Sequence, residues 1–524
     1  MSTLATRVIF ALVMTATSFA LVQSANAVQL DAGGQGQVLI YPYYTVNQFP
    51  NGQRSQQTLL SIVNTSDAAQ VVQVTFREAL NGRAALQFKV WMGRWDVWTG
   101  TVFALADDGI ASDGAGVLTR DATCTTPIFS SGSLTSGGAR YFPLGNANYS
   151  GALSDGGPSE LGRARHGWIE VMSLANVTGP SASAISILYA TGMPANCAAV
   201  QNLAYGTDVS TRPSGGLAGS VSIIRVAEGT LLASRAEALS GFTDISLFND
   251  SMHPAPDLAS VNEGTPGGAV SAMVVDDQGR NQVLTYGAPG SGSRPVDAVS
   301  AALMATRVKN EYQSAASLYG ATDLVLTLPT KPFYTDPALI GASTPALPPF
   351  DEPFTAPGSS RVCVPYSLFS QDQRQYLPDY DNCSLDPSPP IPPWGGPPRP
   401  LIIGLFQASN VVAFLTVTTT PTLTGVLAAP LPPGATNPWL PWFIYPWVAP
   451  AGWLDMNLAT PLFNHRLPAS SEGKVLSGLP VIGYAASIIV NGNVSNGVLA
   501  NYGYAVRHVT TVACSKASDG LPCD

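Results

Sequence analysis

Residues 85–91 read Ala-Leu-Gln-Phe-Lys-Val-Trp, and this stretch decides the predicted fold class. Apolar and polar side chains alternate, so Leu86, Phe88 and Val90 share one face of an extended chain. The glutamine and the lysine between them occupy the opposite face. A period of two with one apolar face is typical of a strand in an antiparallel sheet.

Two further strands precede this stretch. Val71–Phe76 alternates in the same way, and Thr58–Val63 is rich in β-forming residues. An Asn-Thr-Ser-Asp turn at 64–67 separates them. Short strands at this spacing predict a β-sandwich. The succession of strand, turn, strand, loop and strand over 37–91 resembles the immunoglobulin-like surface modules of bacteria, which implies an immunoglobulin-like or related sandwich.

The remaining sequence continues this pattern. Strand-like segments recur, for example at 167–172 and 221–226, and helices are expected only at 193–203 and 295–304, where a proline opens each segment. We therefore predict an all-β, mainly antiparallel protein with long Gly/Pro-rich loops and one or two short helices. The 50 glycines and 43 prolines fit such a turn-rich chain.

The first 27 residues have the form of a signal peptide. Arg7 precedes the apolar stretch Val8–Val22, and Ala25-Asn26-Ala27 supplies small residues for cleavage before Val28. We expect export, to the periplasm, the cell surface or the medium. No later apolar run is long enough to predict a membrane-spanning helix.

A proline-rich stretch at 386–400 divides the rest of the chain. Proline cannot donate to a sheet, so this stretch is predicted to be a linker. It would separate a large β-sandwich region at 28–385, as one unit or two subdomains, from a C-terminal β region at 401–524. Alternatively, the C-terminal strands complete the earlier sandwich.

Charged residues make up 11% of the chain, with a formal net charge of −9. Soluble proteins average about 25% charged residues. The scarcity of cations argues against nucleic-acid binding, which depends on lysine and arginine.

The six cysteines show no C-x-x-C spacing, so disulfides are favoured over a metal site in an exported protein. The shortest loops come from pairing Cys363 with Cys383 and Cys514 with Cys523. Elimination then leaves Cys124 with Cys197.

No motif for a serine nucleophile, zinc or nucleotide phosphate is present, and no cofactor is predicted. Glycoside hydrolysis needs only two carboxylates at a suitable separation, and Glu170 and Glu311 are the candidates.

Calcium binding is a further hypothesis, because Asp379, Asp381 and Asp386 place oxygen ligands close together in the sequence. An ordinary acidic turn is the alternative.

The most unusual segment is the Trp/Pro-rich loop 438–453, which holds four of the nine tryptophans. Exposed rings there would stack on sugars or dock a neighbouring subunit, whereas buried rings would form a lid over the core. The candidate binding residues are its large aromatic side chains, Trp439, Trp442, Tyr445, Trp447 and Trp453.

Together these features favour an exported, non-catalytic structural or interaction protein of the bacterial cell exterior. In amino-acid composition the chain is similar to S-layer and other surface proteins, which are often poor in lysine or rich in glycine, serine and threonine. Its predicted partners are other copies of the chain or a polymer of the cell envelope. The alternatives are a carbohydrate-binding module that uses the Trp/Pro-rich loop and an extracellular hydrolase with paired carboxylates.

Overall fold

The computed structural model describes residues 27–49, 54–249, 255–261, 268–314, 320–341, 344–356, 358–372, 375–376, 401–414, 425–430, 443–444, 450–460, 462–491, 495, 497–498 and 500–524.

The strands that end before residue 241 are β1 (Gln29–Leu30), β2 (Val38–Thr45), β3 (Gln57–Asn64), β4 (Ala69–Glu78), β5 (Ala84–Met92), β6 (Val97–Ala104), β7 (Ala115–Leu118), β8 (Cys124–Thr126), β9 (Ser133–Leu134), β10 (Arg140–Pro143), β11 (His166–Val177), β12 (Ile187–Leu188), β13 (Met193–Pro194), β14 (Leu217–Arg225), β15 (Thr230–Arg235) and β16 (Glu237–Ser240).

The strands that follow are β17 (Val270–Val275), β18 (Asn281–Tyr286), β19 (Met304–Ala305), β20 (Arg307–Gln313), β21 (Gly320–Thr327), β22 (Val362–Ser370), β23 (Gln375–Tyr376), β24 (Leu401–Leu405), β25 (Ser409–Phe414), β26 (Phe443–Ile444), β27 (Ala451–Asn457), β28 (Lys474–Ser477), β29 (Leu479–Pro480), β30 (Ile482–Ile489), β31 (Tyr502–Arg507), β32 (Val509–Thr511) and β33 (Ala513–Lys516). The described α-helices are α1 (Gly179–Ile185), α2 (Val296–Ala302), α3 (Pro332–Thr335) and α4 (Pro337–Ile340).

Two seven-stranded sheets form a first sandwich. Sheet 1 has the order β1-β16-β2-β11-β4-β5-β8, and sheet 2 has the order β15-β14-β3-β6-β7-β10-β9. Alternate residues of the two sheets meet in a common core, for example Val74 of sheet 1 and Ile62 of sheet 2. The predicted all-β, mainly antiparallel sandwich is therefore confirmed.

Sheet 1 is covered on both faces. Its second face, which carries Trp91 and Trp168, shares a core with α2 and with the hairpin of β17 and β18. The polar face that the sequence predicts for β5 is covered in part, since Gln87 is half-buried. Lys89 is only 2% exposed, and its Nζ donates to the carbonyl oxygen of Asn249.

The second sandwich consists of two smaller sheets. Sheet 3 has the order β23-β22-β27-β20-β32, with β24 also paired to β22, and sheet 4 has the order β26-β25-β21-β30-β31. Leu454 of sheet 3 and Leu324 of sheet 4 are buried in the same core cluster. The chain passes from sheet 4 to sheet 3 between β31 and β32, where His508 is buried.

The two sandwiches are joined by a buried interface. A small apolar cluster contains Tyr43 and Ile223 from the first sandwich and Val325 and Tyr484 from the second. The Thr327 hydroxyl donates to the carbonyl oxygen of Pro42 at 2.6 Å.

The strands beyond residue 400 pair with strands that precede the proline-rich stretch. β27 lies between β20 and β22 in sheet 3, and β21 lies between β25 and β30 in sheet 4. The described strands beyond residue 400 thus complete sheets that begin with β20, β21 and β22, and they do not join sheet 1 or sheet 2. The stretch 386–400 itself lies outside the described residues.

The helix expected at 295–304 is confirmed as α2, but the one expected at 193–203 is wrong. That segment contains β13 and a single 3-10 turn at Cys197–Val200. α1 and α2 are the longest described helices, at seven residues, and none of the described helices has the length and apolar character for a membrane crossing.

The predicted disulfides Cys124–Cys197 and Cys514–Cys523 are present. Cys363 is disulfide-bonded as well. Its predicted partner, Cys383, lies outside the described residues. Val28, the predicted first residue after cleavage, is fully buried, and its backbone nitrogen donates to the carbonyl oxygen of Ser271 at 2.8 Å.

Candidate functional site

A groove of about 640 Å³ opens at one end of sheet 3, and we call it the aromatic groove. Three consecutive strands place Glu311, Trp453 and Phe369 in one row across the sheet. Glu311 of β20 and Phe369 of β22 each lie directly opposite Trp453 of β27. Directly opposed side chains on neighbouring strands are close enough to touch. The register alone therefore assembles this row.

The Phe369 ring stacks on the Trp453 indole. Their ring centroids are 4.1 Å apart and the planes differ by 9°. Trp453 is nevertheless 39% exposed, so the stack stands at the surface and is not part of the core. The stacking contact restricts the orientation of both rings in the absence of a ligand.

A glycine permits this close packing of β27 on β22. A Cβ at Gly452 would lie 2.0 Å from the carbonyl oxygen of Phe369, which no other residue could tolerate. Behind the groove, Tyr312 stacks on Phe414 with centroids 4.4 Å apart. Tyr312 and Phe414 are both buried in the core between sheets 3 and 4.

Tyr504 and Gln313 complete the polar part of the groove. Tyr504 comes from β31 of sheet 4, where it lies opposite Ser487 of β30. The amide nitrogen of Gln313 is shielded from solvent and has no hydrogen-bond partner in the described part of the chain. A buried donor without a partner is uncommon in proteins and marks a position where a ligand atom would be stabilising.

The charges around the groove are balanced. Lys309, two residues before Glu311 on β20, has its Nζ 5.9 Å from the centroid of the Trp453 ring. Next to it, Arg307 Nε contacts Asp455 Oδ1 at 3.0 Å. Among the described residues that line the groove, Glu311 is the only one with a charged side chain.

Glu170, the other carboxylate proposed for hydrolysis, is buried in sheet 1. Its Oε2 contacts Arg77 Nε at 2.7 Å, and its Oε1 accepts from Trp168 Nε1 at 3.0 Å. Burial raises the pKa of Glu170, and the neighbouring guanidinium opposes that shift. The structure does not bring Glu170 and Glu311 to one site.

Several predicted site residues fall outside the described part of the chain. They are Trp439, Trp442, Tyr445 and Trp447 of the loop 438–453 and the calcium candidates Asp379, Asp381 and Asp386. Within the described ranges, no group of three or more His, Cys, Asp or Glu side chains could hold a metal ion.

Sequence reasoning identified Glu311 and Trp453 separately but did not place them together, and it missed Phe369, Tyr504 and Gln313. Alternation along β20 and β27 could have predicted that Glu311 and Trp453 each face outward. The sequence does not predict that these two distant strands pair. Tyr504 is 37% exposed.

Compared with models of known protein families, with curated proteins and with solved structures, the chain matches none. The geometry of the aromatic groove is therefore the main guide to function.

Proposed function

We propose that the protein is an exported, non-catalytic interaction protein of the bacterial cell exterior that binds carbohydrate through the aromatic groove. The observation that carries this proposal is the stacked pair of Trp453, which is exposed, and Phe369, which is half-buried. A preformed aromatic surface suits the flat C–H face of a sugar ring, because little side-chain entropy is lost on binding.

The groove also supplies polar groups at its edges. Ligand sites in proteins combine apolar walls with a few well-placed polar groups, in cavities of about 300–1,000 Å³. Glu311 can accept from sugar hydroxyls, and Gln313 can donate to them. The aromatic groove has this composition.

Binding is favoured over hydrolysis by the position of Glu170. A glycosidase requires two carboxylates on either side of the scissile bond. Glu170 is held by Arg77 and Trp168 within sheet 1, whereas Glu311 faces the groove in sheet 3. Support for export comes from the leader-like first 27 residues and from the disulfides.

The test compares two exposed tryptophans. We expect Trp453→Ala to weaken binding to a polysaccharide array at least about tenfold, which corresponds to about 1.4 kcal/mol. Trp95→Ala is the matched control, because Trp95 is 61% exposed but lies in the turn between β5 and β6 of the first sandwich. Equal binding by both variants and the wild type would contradict the proposal. Self-association stays a separate prediction, to be measured by sedimentation velocity.

A further inference from the structure

An apolar hairpin projects from the first sandwich. It consists of β12, β13 and the turn between them, residues 187–194. Successive residues of a strand point to opposite faces, yet Ile187 is 39% exposed and Leu188 is 47% exposed. Tyr189 in the turn is fully exposed, and Met193 at the start of β13 is exposed as well. Neither face of the hairpin is therefore covered by the described part of the chain.

The base of the apolar hairpin is fastened to sheet 1. Ile185, two residues before β12, is buried in the core. Cys197, three residues after β13, is disulfide-bonded to Cys124 of β8, and Gln201 Nε2 donates to the carbonyl oxygen of Thr125 at 2.8 Å. A two-stranded hairpin is only marginally stable in water by itself. These contacts hold the hairpin in place and present its apolar tip to the surroundings.

The apolar hairpin has few polar groups that would be costly to remove from water. Residues 171–207 contain no Asp, Glu, Lys, Arg or His. The backbone nitrogens of Thr191 and Gly192 donate to the carbonyl oxygen of Leu188, at 3.1 and 2.8 Å respectively. Charged groups and unpaired backbone groups are the ones whose transfer to an apolar environment costs most. The tip can therefore leave water at a low cost.

Exposure on both faces favours a fluid partner over a rigid one. A protein surface that docks on one face of the hairpin leaves the other face in water, whereas lipid closes around both. Aliphatic side chains suit the acyl region of a bilayer, and a tyrosine ring suits its boundary with the headgroups. Ile187, Leu188 and Tyr189 are consecutive, so one shallow insertion would bury all three.

The first charged residue after this stretch limits the depth of insertion. Asp208 Oδ2 accepts from the backbone nitrogen of Ser181 at 3.1 Å, near the start of α1. A carboxylate therefore lies at the base of the hairpin, where it would remain among the headgroups. Interfacial segments of proteins reach about 5–10 Å into the boundary between headgroups and acyl chains.

The charge of the chain limits the class of lipid. Anionic lipids attract clusters of lysine and arginine. The stretch 171–207 has neither residue, and the formal net charge of the chain is −9. An anionic membrane would repel this protein, whereas a zwitterionic membrane would not.

We propose that the apolar hairpin inserts into the surface of a bilayer of zwitterionic phospholipid and holds the protein there. This interaction goes beyond the proposed carbohydrate binding and does not depend on it. The hairpin belongs to the first sandwich, whereas the aromatic groove lies in the second.

The experiment measures flotation of the full chain with vesicles of phosphatidylcholine. We expect the wild type to float with the vesicles, and Leu188→Ser to lower the partition coefficient about tenfold. Leu231→Ser is the matched control, because Leu231 is also 47% exposed but lies on β15 of sheet 2. The control should bind as the wild type does. Circular dichroism establishes that each variant is folded.

Two further measurements identify the contact. A polarity-sensitive fluorophore on Tyr189→Cys should shift its emission to shorter wavelength when vesicles are added, whereas the same label on Trp95→Cys should not respond. Vesicles of phosphatidylglycerol should bind less wild-type protein at low ionic strength, and added salt should reduce the difference because it screens the repulsion.

The outcomes decide between lipid and other partners. No binding of the wild type to vesicles, or equal binding by Leu188→Ser and Leu231→Ser, would overturn the proposal. Self-association that Leu188→Ser abolishes, without binding to vesicles, would instead assign the hairpin to a second copy of the chain. Stronger binding to phosphatidylglycerol than to phosphatidylcholine would overturn the assignment to zwitterionic lipid. None of these results would affect the proposed carbohydrate binding, which is tested at Trp453.

Discussion

The two sandwiches use aromatic and charged side chains in opposite ways. In the first, Trp98 is fully buried between sheets 1 and 2, and Arg163 is buried in ion pairs with Glu78 and Asp155. In the second, Trp453 is partly exposed in the aromatic groove, beside the solvent-facing Glu311. The same residue types therefore contribute to stability in one region and are available for binding in the other.

The largest expected difference concerns buried and exposed ion pairs. Arg163 Nε lies 2.9 Å from Glu78, Arg163 Nη2 lies 2.6 Å from Asp155, and these side chains are at most 1% exposed. Arg163→Met should lower the free energy of unfolding by about 3–5 kcal/mol, because two buried carboxylates lose their cation. Arg307→Met, which removes a 45% exposed partner of Asp455, should cost less than about 1 kcal/mol. Urea denaturation at pH 7 measures the free energy of unfolding of both variants. Equal losses of stability in the two variants would contradict this prediction.

A second comparison concerns the buried histidines of the two regions. Burial lowers the pKa of both His166 and His508 to about 4. A histidine whose pKa is depressed in the folded state stabilises the fold above its unfolded pKa of about 6.5. That contribution, on the order of 3 kcal/mol for each residue, is lost as the pH falls from about 6.5 through 4.

The variants His166→Gln and His508→Gln should each flatten the dependence of unfolding free energy on pH in this range. At pH 7 His508→Gln should be the more costly, because His508 Nε2 contacts the carbonyl oxygen of Val325 at 2.7 Å and its Nδ1 contacts Asn310. His166 Nδ1 has no partner among the described residues. A pH profile that neither variant alters would contradict this explanation.

The disulfides offer a smaller difference. Cys124–Cys197 closes a loop of 73 residues in the first sandwich, whereas Cys514–Cys523 closes one of 9 residues near the C-terminus. Loop-closure entropy predicts that replacing Cys124 and Cys197 by serine lowers the free energy of unfolding by about 4 kcal/mol. The same replacement of Cys514 and Cys523 should lower it by about 3 kcal/mol. Thermal and urea denaturation of the two double variants would measure the ranking, and the reverse order would show that strain or residual structure outweighs loop length.

The smallest effect is expected at the control residue for binding. Trp95 has φ of 55°, in the left-handed region that side chains other than asparagine and glycine seldom adopt. Trp95→Asn should therefore raise the free energy of unfolding by about 0.5–1 kcal/mol. A loss of stability would indicate that the contact of Arg94 with the Trp95 ring outweighs the strain.

Local patterns predicted much of the fold but not how its parts meet. The alternation at 85–91 predicted β5, yet Lys89 is buried, with its Nζ over the Phe248 ring and hydrogen-bonded to the carbonyl oxygen of Asn249. The same limit applies to the site. Glu311, Phe369 and Trp453 come from three strands whose pairing depends on long-range register, which no local pattern encodes. Cysteine spacing succeeded for two disulfides because short loops and elimination left few choices.

The strand order also determines how the gene could be divided for expression. β20 and β21 each take their neighbours on both sides from residues beyond 400, and β22 pairs there with β24 and β27 in addition to the two-residue β23. A fragment ending at residue 385 would leave both edges of β20 and β21 and one edge of β22 unpaired, and unpaired strand edges promote aggregation. Soluble production of the aromatic groove therefore calls for an expressed chain that contains both halves.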